Sequence, residues 1–139
     1  METITFVDSG VLIAAATGRD EIAQRAIAVI DDPQRVLASS DFVRLEVLPK
    51  PVYHKRKDEV DFYTAFFDEI SILVPSSQGL VQRAYEEGVK FGLSAVDALH
   101  VAGAVEAKAQ EIVTTEKSSG PLCRVTSVRV NSIRSGQSG

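Results

Sequence analysis

The chain has 139 residues, of which 45% are apolar and 24% charged, and it carries a net charge of −4. That size suits one domain with a core that needs no cross-links, and the acidic balance speaks against coating nucleic acid through bulk charge, leaving room only for a local basic face. Cys123 is the only cysteine, which excludes a disulfide framework and a thiolate zinc site and fits a reducing cytoplasm.

Residues 3–7 are short, apolar and β-branched, with no polar alternation. Such a run reads as a parallel strand buried on both faces, so it belongs in the centre of a sheet. Ser9-Gly10 closes it, a short helix follows over 11–16, and Gly18 breaks that helix. Across 20–31, Ile22, Ala23, Ala26, Ile27 and Ile30 recur on one helical face until Asp31-Asp32-Pro33 stops it. Residues 35–38 are a second strand. Ser39 or Ser40 caps a helix over 41–48, which Pro49 and Pro51 end. An amphipathic helix over 58–70 carries Phe62, Tyr63, Phe66 and Phe67, and a third strand over 72–74 stops at Pro75. Residues 78–89 are helical, Phe91-Gly92-Leu93 turns, and Ser94 caps an apolar helix over 95–109. The fourth strand covers 111–114, and 124–128 reads as a fifth at a sheet edge. Small polar residues over 135–139 read as a frayed tail, leaving one domain over 1–134. The chain opens on a strand-like run carrying Glu2, which is not how a signal peptide begins. No stretch approaches the roughly 18 apolar residues that span a bilayer, so no membrane association is expected.

Strands separated by helices imply right-handed crossovers and a parallel sheet covered on both faces. The expected fold is therefore α/β, a three-layer α/β/α sandwich around a central, mostly parallel sheet of the five strands. In such sheets ligands bind beyond the C-terminal ends of the strands, near the point where strand order reverses. Asp8 and Glu116 fall just past strand ends, Glu46 lies on the helix after the second strand, and Asp97 opens the helix before the fourth. All four can converge on one rim, where packed carboxylates raise one another's pKa unless a cation relieves them. Each has a plainer explanation singly. Asp8 can start a turn, Glu46 can be a solvated helix residue, Asp97 can complete a capping box with Ser94, and Glu116-Lys117 can be a charged loop. Yet the helix around Asp97 is apolar on nearly every side, and a buried helix that keeps a carboxylate keeps it for a reason.

Four stretches carry a resemblance. They are Phe6-Val7-Asp8-Ser9, the Ser-Ser-x-x-x-x-x-Glu run ending at Glu46, Gly92-Leu93-Ser94-Ala95-Val96-Asp97-Ala98-Leu99-His100, and Val113-Thr114-Thr115-Glu116-Lys117. In this order and spacing the chain resembles the PIN-domain nucleases, including the VapC-like toxins of toxin–antitoxin pairs. The resemblance implies a small α/β/α sandwich whose acidic pocket binds Mg²⁺ or Mn²⁺ and hydrolyses RNA phosphodiesters. It implies an antitoxin protein and a second copy of the chain as partners. It makes Asp8, Glu46, Asp97 and Glu116 the catalytic and metal-binding acids, with Ser9 in the place of the hydroxyl residue that follows the first Asp. Two positions depart from the family pattern: Glu116 stands where an Asp is usual, and Ser119 where a further Asp is often found. Mg²⁺ prefers a near-octahedral oxygen shell with several waters, which a few carboxylates and substrate phosphates supply. Asp8 and Asp97 are the expected direct ligands, with Glu46 and Glu116 orienting waters or holding a second ion.

His100 lies three residues after Asp97 on about the same helix face. It reads as a core or supporting histidine before it reads as a base, because metal-assisted hydrolysis needs none. The run His54-Lys55-Arg56-Lys57 is the one basic cluster, either a solvated helix start or a phosphate-binding edge beside the pocket. The aromatic helix over 58–70 offers apolar surface for a homodimer. Two rivals stand beside the nuclease. A haloacid-dehalogenase-type phosphatase needs a second Asp two residues after the first, where this chain has Gly10. A degenerate PIN domain, acting as a non-catalytic RNA-binding or scaffold module, is compatible with Glu116 and Ser119.

Overall fold

The computed structural model describes residues 2–134. In chain order the elements are β1 (Thr3–Val7), α1 (Ser9–Thr17), α2 (Glu21–Ile30), β2 (Arg35–Ser40), α3 (Asp41–Val47), α4 (Pro49–Tyr53), α5 (Lys57–Glu69), β3 (Ile72–Val74), α6 (Gln78–Phe91), α7 (Ala95–Glu106), β4 (Glu111–Thr114) and β5 (Arg129–Ser132), with a 3₁₀ turn over Pro121–Arg124. The five strands form one parallel sheet in the order β3-β2-β1-β4-β5. β1 is central, as its unbroken apolar character requires. The chain winds from β1 outward to β3, then returns across the sheet through α6 and α7 to place β4 on the other side of β1. Strand order therefore reverses between β1 and β4.

Phe6, Val7, Ile112 and Val113 are fully buried, which is what the apolar strand sequences demand. Side chains of this kind stabilise by about 1.5–3 kcal/mol each when removed from water. α7 packs across β2, β1 and β4, while α1 packs against α2 and α5. Gly103 lets α7 lie close on β1: a Cβ there would sit 3.0 Å from the Phe6 ring. At the start of β4 the buried Glu111 accepts from Thr5 Oγ1 at 2.7 Å, Arg35 Nε at 3.1 Å and Asn131 Nδ2 at 3.3 Å. One carboxylate thereby ties β1, β2, β4 and β5 side by side.

Several boundaries differ from the sequence reading. Ser9 and Gly10 belong to α1, because Asp8 caps it and helix starts immediately after the strand. Pro49 opens α4 instead of ending the helical path, since a proline at the first helical position gives up an N–H that has no partner there anyway. The fifth strand is β5, not residues 124–128. Pro121 starts the 3₁₀ turn, and the Arg124 guanidinium is drawn to the Phe91 and Gly92 carbonyls at the end of α6. Val125 and Val128 are buried without being in a strand, which is why their apolar spacing misleads. On α5, Tyr63, Phe66 and Phe67 are buried in the core, so the aromatic surplus expected for a dimer face is spent inside the domain. The tail expected over 135–139 lies outside the described residues.

Candidate active site at the C-terminal rim of the sheet

Asp8 leaves β1 at the point where strand order reverses. It is 7% exposed, and its Oδ1 accepts the Val11 N–H at 3.1 Å, which caps α1. Thr114, the last residue of the neighbouring β4, turns its hydroxyl to the Asp8 carboxyl and accepts the Glu116 N–H at 3.0 Å. Burial pushes the Asp8 carboxyl above its usual range. The Thr114 and Val11 hydrogen bonds and the charge of His100 oppose that rise, and the charge of Glu46 adds to it.

Glu46 reaches the same rim from α3, which Ser40 caps by accepting the Val43 N–H at 3.2 Å. The Glu46 Oε1 lies 2.7 Å from Nε2 of His100. Burial acts to raise the Glu46 carboxyl, but the hydrogen bond and charge of His100 and the Ser9 hydroxyl outweigh it and hold it below its usual value. His100 is buried on α7 with its ring against Phe6, and among the described residues its Nδ1 has no hydrogen-bond partner. Through Nε2 the buried imidazole holds and positions the Glu46 carboxylate.

Asp97 stands one turn before His100 in the first turn of α7. Its backbone N–H donates to Ser94 Oγ at 3.3 Å, one half of the capping box. Among the described residues its carboxylate forms no ion pair, and it is half-buried. Glu116 behaves differently. Its Oε2 accepts the Leu122 N–H at 2.7 Å, and its side chain occupies the space a Cβ on Gly120 would need. Glu116 thus folds into its own loop and holds the 3₁₀ turn. The rim brings together Asp8, Glu46 and His100. Among the described residues no group of three or more His, Cys, Asp or Glu side chains is placed to hold a metal ion.

Thr114 is the participant that the sequence reading passed over. Its only signal was a hydroxyl residue at the end of a buried apolar strand beside the Asp8 strand. The basic run at 54–57 is exposed at the corner between α4 and α5, with Lys57 paired to Asp61 at 2.6 Å and Arg56 to Glu59 at 3.9 Å. Among the described residues no single helix is long and apolar enough to cross a membrane.

The fold has counterparts among solved structures. A chain of the VapBC2 complex from Rickettsia felis, bound to a DNA fragment from its promoter, matches with a TM-score of 0.67 at 14% identity over 93% of this chain and 98% of that one. VapC20 of Mycobacterium tuberculosis, a toxin that cleaves the sarcin–ricin loop, matches with 0.65 at 18% identity over 90% and 98%. A chain of a toxin–antitoxin complex from Klebsiella pneumoniae matches with 0.63 at 21% identity over 89% and 94%. At these identities the likeness is one of fold. No curated protein matches the chain. The PIN domain family profile matches residues 5–124, from the middle of β1 through the 3₁₀ turn. That span takes in Asp8, Glu46, Asp97 and Glu116 together with the strand order that gathers the first two, and the chain belongs to the PIN-domain family.

Proposed function

We propose that this chain is an endoribonuclease that hydrolyses RNA phosphodiester bonds with a bound Mg²⁺ or Mn²⁺, and that it is the toxin of a toxin–antitoxin pair. The observation that carries the reading is the buried Asp8 carboxyl at the reversal point of the sheet, beside Glu46, in a chain of the PIN family. The donors fit a hard divalent ion in kind, because Asp8, Glu46 and Asp97 offer only oxygen. They fit in arrangement only in part, since no three of them close on one point and Glu116 is engaged by Leu122. Asp8 and Asp97 would hold the ion, and Glu46 would orient a water. When bound, the ion would lower the pKa of a water and offset charge on the phosphoryl oxygens. The chain's own residues supply orientation. The Val11 N–H and the Thr114 hydroxyl fix the Asp8 carboxyl, and His100 and Ser9 fix Glu46, so little reorganisation is needed.

The engagement of Glu116 favours a second reading, a PIN domain that binds RNA without cutting it. One experiment separates the two. A single-stranded RNA is incubated with the protein and Mg²⁺ or Mn²⁺, with and without chelator, for wild type and Asp8→Asn. Cleavage that needs the metal and disappears in Asp8→Asn, with circular dichroism unchanged, supports the nuclease. RNA binding without turnover supports the module.

Two protein partners complete the proposal. The likeness to chains from toxin–antitoxin complexes supports an antitoxin. A second copy of the chain has a candidate seat on α6 and α7, where Val81, Tyr85 and Val89 form an exposed stripe beside an apolar groove of about 450 Å³.

A further inference from the structure

We infer that the end of α4 is a subsite for single-stranded RNA, in which Tyr53 stacks on a base and Lys50 and Lys55 hold the flanking phosphates. The inference rests on the RNA-binding reading above and adds to it a place outside the acidic rim.

The geometry begins with the helical path through α3 and α4. Leu48 keeps a helical conformation between the two, and the Leu48→Arg44, Val52→Leu48 and His54→Lys50 backbone hydrogen bonds carry the path onward. Within α4, Lys50 and Tyr53 are spaced i, i+3 and lie on one side of the helix. Tyr53 ends α4, the helix that follows the one carrying the rim acid Glu46. Tyr53 is 80% exposed, and its ring meets His54 edge to face at 5.0 Å. A large aromatic ring held at the surface with so little covering it is a platform. The charges around it choose the occupant. Among the described residues Lys50 and Lys55 have no ion-pair partner, in contrast to Arg56 and Lys57. Unpaired cations beside an open ring suit a strand with alternating phosphates and bases, because any base offers a π-face. Lys55 also holds φ +55, a left-handed position that glycine or asparagine normally fills at a helix end.

The test is binding of a labelled single-stranded RNA 12-mer in chelator, read by fluorescence anisotropy, so that no cleavage is involved. Tyr53→Ala is expected to weaken binding on the order of tenfold, as loss of one stacked base does, while Tyr53→Phe stays near wild type. Lys50→Ala is expected to weaken binding and flatten its salt dependence. Lys55→Gly gives opposite signs: a higher Tm from the relieved backbone, and weaker RNA binding. Wild-type affinity in Tyr53→Ala would overturn the subsite. So would a change in self-association of Tyr53→Ala with RNA binding intact, which would give the ring to a protein partner. Cleavage by Asp8→Asn is scored separately. If Asp8→Asn cuts normally, the metal-centre reading fails and the subsite stands on its binding data. If Asp8→Asn is inactive and Tyr53→Ala binds normally, the subsite alone is lost.

Discussion

The Asp8 carboxylate caps α1 through the Val11 N–H, yet burial and the nearby Glu46 charge disfavour its ionised form. An acid whose pKa is raised on folding binds its proton more tightly in the folded state. Its ionisation at neutral pH therefore costs stability, and the cost vanishes below the unfolded value of about 3.8. Asp8→Asn keeps an oxygen for the Val11 N–H and removes the charge. We expect the variant to melt higher than wild type at pH 7 in chelator, and the gap to be nearly closed by about pH 3, where Asp8 is mostly protonated in both states. Calorimetry at the two pH values checks this, and a lower Tm at pH 7 contradicts it. His100 bears on stability in the other direction. Its buried ring packs on Phe6 and holds Glu46 at 2.7 Å. His100→Ala should cost about 3 kcal/mol, from the cavity and the lost charge-assisted hydrogen bond. Urea unfolding measures that loss, and any RNA cleavage should fall less than in Asp8→Asn.

Among the elements, the apolar strands were the legible part. The buried polar side chains of β1 and β4 are Thr5, Glu111 and Thr114, and each of those has a partner on a neighbouring strand or rim. Periodicity also placed α2, α5, α6 and α7 to within a few residues. It failed where local chemistry overrode apolar spacing: at Pro49, which starts a helix, and at Val125 and Val128, which are buried from a loop. Side-chain commitments were the least legible. Glu116 looks like a rim acid in sequence, but its extra methylene lets it reach Leu122 N–H six residues on, and no pattern of spacing announces that choice. Glu111 went unremarked because a single charge at the start of a strand looks solvated. It is buried, and although burial alone would raise its carboxyl, the Thr5 and Arg35 hydrogen bonds, the Arg35 charge and the Asn131 amide hold it below its usual value. A depressed carboxyl adds stability above its unfolded value of about 4.5 and loses it as pH falls through the lower folded value. Glu111→Gln should therefore cost about 2 kcal/mol at pH 7. It should also lose less stability than wild type between pH 5 and 3. Parallel loss in the two proteins on acid titration would show that Glu111 does not carry this limb.

For the whole molecule, the distribution of apolar surface decides where another chain can sit. α5 was the expected face from its aromatic content, but Tyr63, Phe66 and Phe67 are buried in the core, where α5 packs against α1, α3 and α4. Exposed apolar side chains lie on α3 and α4, at Leu45, Val52 and Tyr53, and in a longer row on α6 and α7. Val81 is 52% exposed, Tyr85 68% and Val89 71%, spaced i, i+4, i+8 along α6, with Val96 at 44% at the start of α7. Phe42, Leu93 and Leu99 line the groove beside them. A row of this kind on one side of a small domain marks an interaction surface. In an isologous pair the stripe of one copy enters the groove of the other, and the same contact repeats across the twofold axis. Val96 neighbours Asp97, so such a pair would also set the two acidic rims near each other. The prediction is a species of twice the 15.0 kDa chain mass in light scattering at tens of micromolar. Tyr85→Glu should return it to the single-chain mass, because a carboxylate would be buried in a groove lined mostly by apolar side chains. At an exposed helix position the same change should alter the stability of the single chain by no more than about 0.5 kcal/mol, so loss of the pair cannot be mistaken for unfolding. A wild-type chain that scatters as a monomer, or a Tyr85→Glu variant that still pairs, would remove α6 and α7 as the seat.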